Sequence, residues 1–203
     1  MNGPGRSSRE QAEFDKFHYL GTETLRNKLG LRDPHRLELA ERYLSAIRAK
    51  QGPPGDARRV EVDGLKAIHR HLFQDVYDWA GKFRTYTTGR GAAPFATPEN
   101  IRPWLEKQFA ELRDENGLKG MEANRFAARV AHYVNEINAA HPFLEGNGRV
   151  QRAWLRNLAD RAGHHVRLRS EDRERWYEVS KIGFEQADPG PMADMIYESI
   201  ARD

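Results

Sequence analysis

The chain has 203 residues, with 33 Lys and Arg against 30 Asp and Glu, a formal net charge of +3 and no cysteine. That length supports one domain with a real core, and the lack of thiols excludes disulfides and thiolate metal sites. Basic and acidic residues are interspersed, as in Glu171–Arg175, which points to a solvated mixed surface rather than the one-sided basic face of a nucleic-acid binder.

Residues 1–18 read as a flexible N-terminal segment and 19–203 as the single domain. No stretch approaches the roughly 20 apolar residues of a membrane span, and Met1–Glu10 has no apolar signal region. The expected location is the cytoplasm, with secretion into a host cell as the alternative. Leu37, Ala40, Leu44 and Ile47 recur at helical spacing. Gln51-Gly-Pro-Pro-Gly55 then interrupts. Leu65, Ile68, Leu72, Val76 and Trp79 mark a second helix ending near Gly81. Phe83–Thr97 is rich in Thr and Tyr around Gly89-Arg-Gly91, the signature of a hairpin. Further helices follow: one through Ile101, Trp104, Leu105, Phe109 and Leu112, the next through Phe126, Val130, Val134 and Ile137, and a third through Val150, Trp154 and Leu158. From Trp176 onward the tail reads as one or two helices interrupted at Asp188–Pro191. The fold class is all-α, with one hairpin projecting.

The chemistry concentrates in His141-Pro-Phe-Leu-Glu-Gly-Asn-Gly-Arg149 and Arg152. Pro142 disfavours the helical conformation at His141 and ends the preceding helix. Gly146 and Gly148 let the backbone bend and expose N–H groups ahead of a helix N-terminus, which is a ready anion site. Arg149 and Arg152 lie three apart on that helix and suit phosphate. Glu145 would repel phosphate unless a hard cation such as Mg²⁺ joined the carboxylate to phosphate oxygens. His141, neutral near its ordinary pKa of ~6.5, can accept a proton. Taken singly, each residue has an ordinary structural explanation: a helix-end His, a linking glycine turn, a solvated arginine face. Gathered in one helix–loop–helix turn, they describe attack by a hydroxyl on a nucleotide phosphate.

These residues match the Fic motif H-x-F-x-[D/E]-G-N-G-R-x-x-R at His141, Phe143, Glu145, Gly146, Asn147, Gly148, Arg149 and Arg152. Ile68–Gly81 followed by Arg84-Thr85 resembles the lead into the family's flap hairpin, and Thr24–Gly30 a stretch common in its bacterial members. The resemblance implies the Fic fold, a helical bundle with a β-hairpin flap over the site, and a protein adenylyltransferase that releases pyrophosphate. His141 would be the general base toward a Tyr, Thr or Ser hydroxyl, and Glu145 the Mg²⁺ carboxylate. Gly146, Asn147, Gly148 and Arg149 would form the anion hole, with Arg152 on the γ-phosphate of ATP and Phe143 as the loop's anchor. Arg90 and Gly91 of the flap would line the nucleotide and register an extended target segment.

Members that phosphorylate carry Ala and Lys in the corresponding turn, whereas this chain keeps Gly146–Arg149. Transfer of UMP or phosphate and a non-catalytic binding module are the alternatives. The self-inhibitory motif [S/T]-x-x-x-E-[G/N] is absent: only Ser170 has a Glu four residues on, and Arg175 follows Glu174. The chain therefore resembles the toxin-type members held in check by a separate small antitoxin protein. His69 and His71, two apart on a helix, do not share a face for a metal. Tyr133, Trp154 and Trp176 read as core, with Trp176 or Tyr177 in reach of the base.

Overall fold

A computed structural model of the chain describes residues 7–91, 93–169 and 171–200. Among them run eight α-helices: α1 (Ser8–Phe17), α2 (Pro34–Lys50), α3 (Val62–Phe73), α4 (Pro98–Asp114), α5 (Ala123–Ala140), α6 (Asn147–Ala162), α7 (Arg173–Glu185) and α8 (Gly190–Ser199). Two short strands, β1 (Gly89–Arg90) and β2 (Ala93–Pro94), pair antiparallel, Gly89 with Pro94 and Arg90 with Ala93. The architecture is all-α with one hairpin. No helix among the described residues is long and apolar enough to cross a membrane.

The core forms around α5. Phe126, Val130, Val134 and Ile137 recur at helical spacing and are all buried, and α4, α6, α7 and α8 pack against that helix. Tyr133, Trp154 and Trp176 are buried as expected. The helix starts carry visible signals: Asp33 accepts a hydrogen bond from the Arg36 N–H at 2.8 Å, with Pro34 in the first turn of α2. α5 and α6 follow each other across the motif turn, so the fold brings the end of one buried helix and the start of another to a single point.

Four expectations change. The segment expected to be flexible, residues 1–18, is helical over Ser8–Phe17; residues 1–6 lie outside the described residues, as does Ser170. Ser7 and Glu10 cap this helix reciprocally, and Phe14 is buried, edge-on to Tyr86 at 5.6 Å. Of the α2 stripe Leu37, Ala40, Leu44 and Ile47, Leu37 is buried and Leu44 packs against the core, but Ile47 turns outward. Leu37 is buried together with Glu41 and Ser45, while Ile47 is 39% exposed, because groups of the motif helix supply polar partners for that face. Helix α3 stops at Phe73, so Val76 and Trp79 reach the core from the loop beyond it. The hairpin is also shorter than its β-prone sequence, since residues on either side of it bond to the end of α5 instead.

Candidate active site

Helix α5 ends at Ala140, and His141 takes a left-handed conformation (φ 41°, ψ 61°) while its N–H still bonds the Ile137 carbonyl at 3.0 Å. The turn that follows is braced from inside. Phe143 is fully buried, stacked on His69 with centroids 4.0 Å apart. The Asn147 side chain closes on Phe143 in both senses, accepting from its N–H at 3.0 Å and donating to its carbonyl at 2.7 Å. Gly146 has φ +82°, and a Cβ there would lie 2.2 Å from Phe73 Cζ. His69 donates from Nε2 to the Glu145 carbonyl at 3.1 Å and accepts from the Gly81 N–H at Nδ1. Burial pushes His69 down to about 3, so the neutral ring serves as a fixed peg. His71 turns elsewhere, to the Arg48 carbonyl at 2.8 Å.

His141, Glu145, Gly146, Asn147, Gly148, Arg149, Arg152 and Arg90 all border one cavity of about 1130 Å³. Gly91, at the turn of the hairpin, is exposed and outside that lining. The His141 ring is half-buried, with Nδ1 inside the protein, so the Nε2 edge is the part that borders the cavity. Burial pushes His141 down to about 3; the guanidiniums of Arg84 and Arg90 add to this, and the Asn138 backbone opposes it. The imidazole is uncharged at neutral pH, as a proton acceptor must be.

The two motif arginines differ in their commitments. Arg149 borders the cavity, yet its guanidinium is held by Glu41, by Ser45 Oγ at 3.1 Å and by Glu145 at 3.3 Å, and it lies over the Phe73 ring. No carboxylate among the described residues pairs with Arg152. Burial lowers its pKa to about 10, with Arg149, Arg156 and Arg173 contributing, so it stays cationic at neutral pH. Its guanidinium lies 5.7 Å from the centroid of the Trp176 ring. Glu145 is 47% exposed at its side chain, with Oε1 receiving the Gly146 N–H at 2.7 Å.

On the other side, the Arg90 guanidinium sits among the rings of Tyr177, Phe95 and Phe184, at 5.1, 5.8 and 6.0 Å from their centroids. Phe95 stacks directly on His141. Sequence reasoning missed Phe95, Glu41 and the burial of Arg84. Glu41 sits in a helix of mixed charge and looks solvated, and nothing in the spacing of Phe95 relates it to residue 141.

The Fic/DOC family profile matches residues 59–159, which include α3, the hairpin and the whole motif. The chain is 35% identical over 169 residues to the "Probable protein adenylyltransferase Fic" of Escherichia coli K12, covering 83% of this chain and 84% of that protein. It is 38% identical over 146 residues to the protein adenylyltransferase VbhT of Bartonella schoenbuchensis, 71% of this chain but only 30% of that longer protein. In three dimensions it superposes on BepC, a VirB-translocated effector of Bartonella tribocorum solved with bound AMPPNP, at a TM-score of 0.83 and 26% identity, covering 93% and 97% of the two chains. A motif matched at every specified position, the fold that presents it and these relatives agree: the chain belongs to the Fic/DOC family.

Proposed function

We propose that this chain is a protein adenylyltransferase that moves AMP from ATP to a Tyr, Thr or Ser hydroxyl of a target protein. The observation that carries the reading is the convergence of His141, Glu145, the Gly146–Gly148 turn and Arg152 on one cavity. The target oxygen attacks the α-phosphorus, the bond from that phosphorus to the bridging oxygen breaks, and pyrophosphate leaves. The hydroxyl proton passes to the Nε2 edge of His141. A bound triphosphate brings negative charge toward the imidazole and raises its proton affinity during the reaction. The start of α6 offers its unpaired N–H groups and dipole to the phosphates, and Arg152 supplies a cation that no carboxylate among the described residues pairs with.

Among the described residues no three His, Cys, Asp or Glu could hold a metal by themselves. Mg²⁺ takes as little as one protein carboxylate and completes its shell with phosphate oxygens and water. The exposed Glu145 carboxylate is the residue that would hold it, and the ion would neutralise phosphate charge as pyrophosphate departs. The β1–β2 hairpin offers strand edges on which an extended target segment would align beside His141.

The test is transfer of label. The purified chain and its His141→Ala variant are incubated with cell lysate and ATP labelled at the α- or γ-phosphate. Protein labelled from the α-position alone, and absent with the variant, is the expected result. Labelling from the γ-position alone would mean kinase chemistry, and none from either would leave a binding module. On this reading the enzyme acts in the producing cell's cytoplasm under a separate antitoxin, a role supported by Arg152, which pairs with no carboxylate among the described residues. Expression alone then arrests growth, the His141→Ala variant does not, and a small co-encoded partner restores growth. Growth unaffected by the intact chain overturns the toxin role.

A further inference from the structure

Arg84 is 2% exposed, and no carboxylate pairs with it among the described residues. A buried charge is tolerated only when its donors are satisfied, and here carbonyl oxygens receive four of the five guanidinium N–H groups. Nε donates to the His141 carbonyl at 2.7 Å and Nη1 to the Tyr86 carbonyl at 2.9 Å. Nη2 donates to the Ala140 carbonyl at 3.1 Å and also to that of Ala96. Burial lowers its pKa to about 10, which leaves it charged at neutral pH.

The four acceptors belong to two segments. Ala140 and His141 end α5, where the last carbonyls lack helical partners and the helix dipole is negative, so a cation is doubly favoured. Tyr86 and Ala96 flank the hairpin on either side. Backbone bonds run alongside: the Arg84 N–H reaches the Pro142 carbonyl at 2.9 Å, and the Ala96 N–H reaches the Ala139 carbonyl at 3.1 Å. His141 holds a left-handed backbone that a non-glycine residue adopts only when its surroundings impose it. Arg84 binds the carbonyl of that very residue.

We propose that Arg84 is a positioning residue: it clamps the base of the flap to the end of α5, fixing the backbone of His141 and the flap in one register. Its catalytic consequence rests on the adenylyltransferase reading, whereas the clamp itself does not. On that reading the Gly146–Arg152 segment, which the clamp does not touch, holds the phosphates, so losing the clamp lowers turnover more than nucleotide affinity.

The experiment compares the full chain with Arg84→Lys, which keeps a cation but cannot span four carbonyls, and Arg84→Met, which removes the charge. Backbone hydrogen exchange, affinity for a non-hydrolysable ATP analogue and single-turnover AMP transfer at saturating ATP are measured for each. For Arg84→Lys the expected result is faster exchange confined to residues 84–97 and 139–143. Analogue affinity changes by less than about threefold, while transfer slows by about 30-fold or more. If Arg84→Met does not fold, Arg84→Lys alone decides. Unchanged exchange and rate in Arg84→Lys overturn the proposal, as does exchange that rises across the whole chain with parallel loss of analogue affinity. A wild-type chain that transfers no AMP counts against the proposed function, and localised exchange in Arg84→Lys then still supports the clamp.

Discussion

The imidazole of His141 lies flat against the ring of Phe95, with centroids 3.8 Å apart and planes 5° from parallel. One ring comes from the turn after α5 and the other from the return arm of the flap, so the residue expected to take the proton is oriented by a neighbour remote in sequence. Phe95 is itself 5% exposed and packed against Phe184.

Replacing Phe95 by Ala removes that wall. The cost in stability is about 3 kcal/mol, the lower end for deletion of a buried aromatic side chain, and the freed imidazole samples other rotamers. AMP transfer falls by about 100-fold. Phe95→Leu keeps most of the volume without the flat face and loses about 10-fold. Single-turnover rates with folded protein, verified by thermal unfolding, check both numbers; equal rates for Leu and Phe would show that the stack does not orient His141.

The two motif glycines answer differently to the same substitution. Gly146→Ala places a methyl 2.2 Å from Phe73 Cζ at a residue with φ +82°, so backbone strain adds to overpacking and the protein loses about 2–4 kcal/mol. At Gly148 the nearest atoms to an added Cβ are Arg152 Nη1 at 3.5 Å and Trp176 Nε1 at 3.9 Å, ordinary contacts, and Ala favours the helix by up to about 1 kcal/mol. Gly148→Ala therefore keeps or raises Tm, yet its methyl enters the phosphate cradle and weakens ATP binding by about tenfold. Tm and nucleotide titration on the two variants should separate them.

Much of this arrangement was legible in the sequence, and what was not has a physical reason. Val130, Val134 and Ile137 announced α5 because a buried helix needs an apolar stripe, and Pro142 announced its end. The motif named the residues around the cavity because one turn carries them. Ser7 and Glu10 did spell a capping box for α1, a local signal that the polar composition around it obscured. Glu41 and Arg84 are different. Their charges belong inside only because of partners more than fifty residues away in sequence, Arg149 in one case and the carbonyls of Ala140 and His141 in the other. No local pattern encodes such a pairing.

Acid should weaken the fold earlier than its carboxylates require. Burial holds both His69 and His141 down to about 3, below the ordinary value of 6.5. Unfolded chains take up protons that the native state refuses, so this stability is complete above pH ~6.5 and drains as pH falls from there toward ~3. For fully buried His69 the slope approaches about 1.4 kcal/mol per pH unit. The lowered carboxylates, such as Glu115 beside Arg129, contribute losses only near and below their ordinary range of about 4.5. Urea midpoints between pH 7.5 and 5, without nucleotide or divalent cation, follow the histidines, with Glu41, whose pKa burial raises, working in the opposite sense. A His69→Gln variant should show a visibly shallower decline; an identical slope would mean that His69 titrates normally in the folded protein.

Arg149 and Glu41 supply the last test. Glu41 is 4% exposed, and burial raises its pKa while Arg149 pulls it down. Arg149→Ala leaves that carboxylate buried without its cation, a loss of about 3–5 kcal/mol. Glu41→Gln is milder, since the amide still receives the Tyr77 hydroxyl, the second partner of Glu41. In the double variant no buried charge is stranded, so stability recovers part of what Arg149→Ala removed. The coupling read from the four denaturation curves should exceed about 1 kcal/mol. Strict additivity would show that Arg149 leaves α2 in solution, and its guanidinium would then be available to a phosphate instead of bracing the turn that holds Glu145.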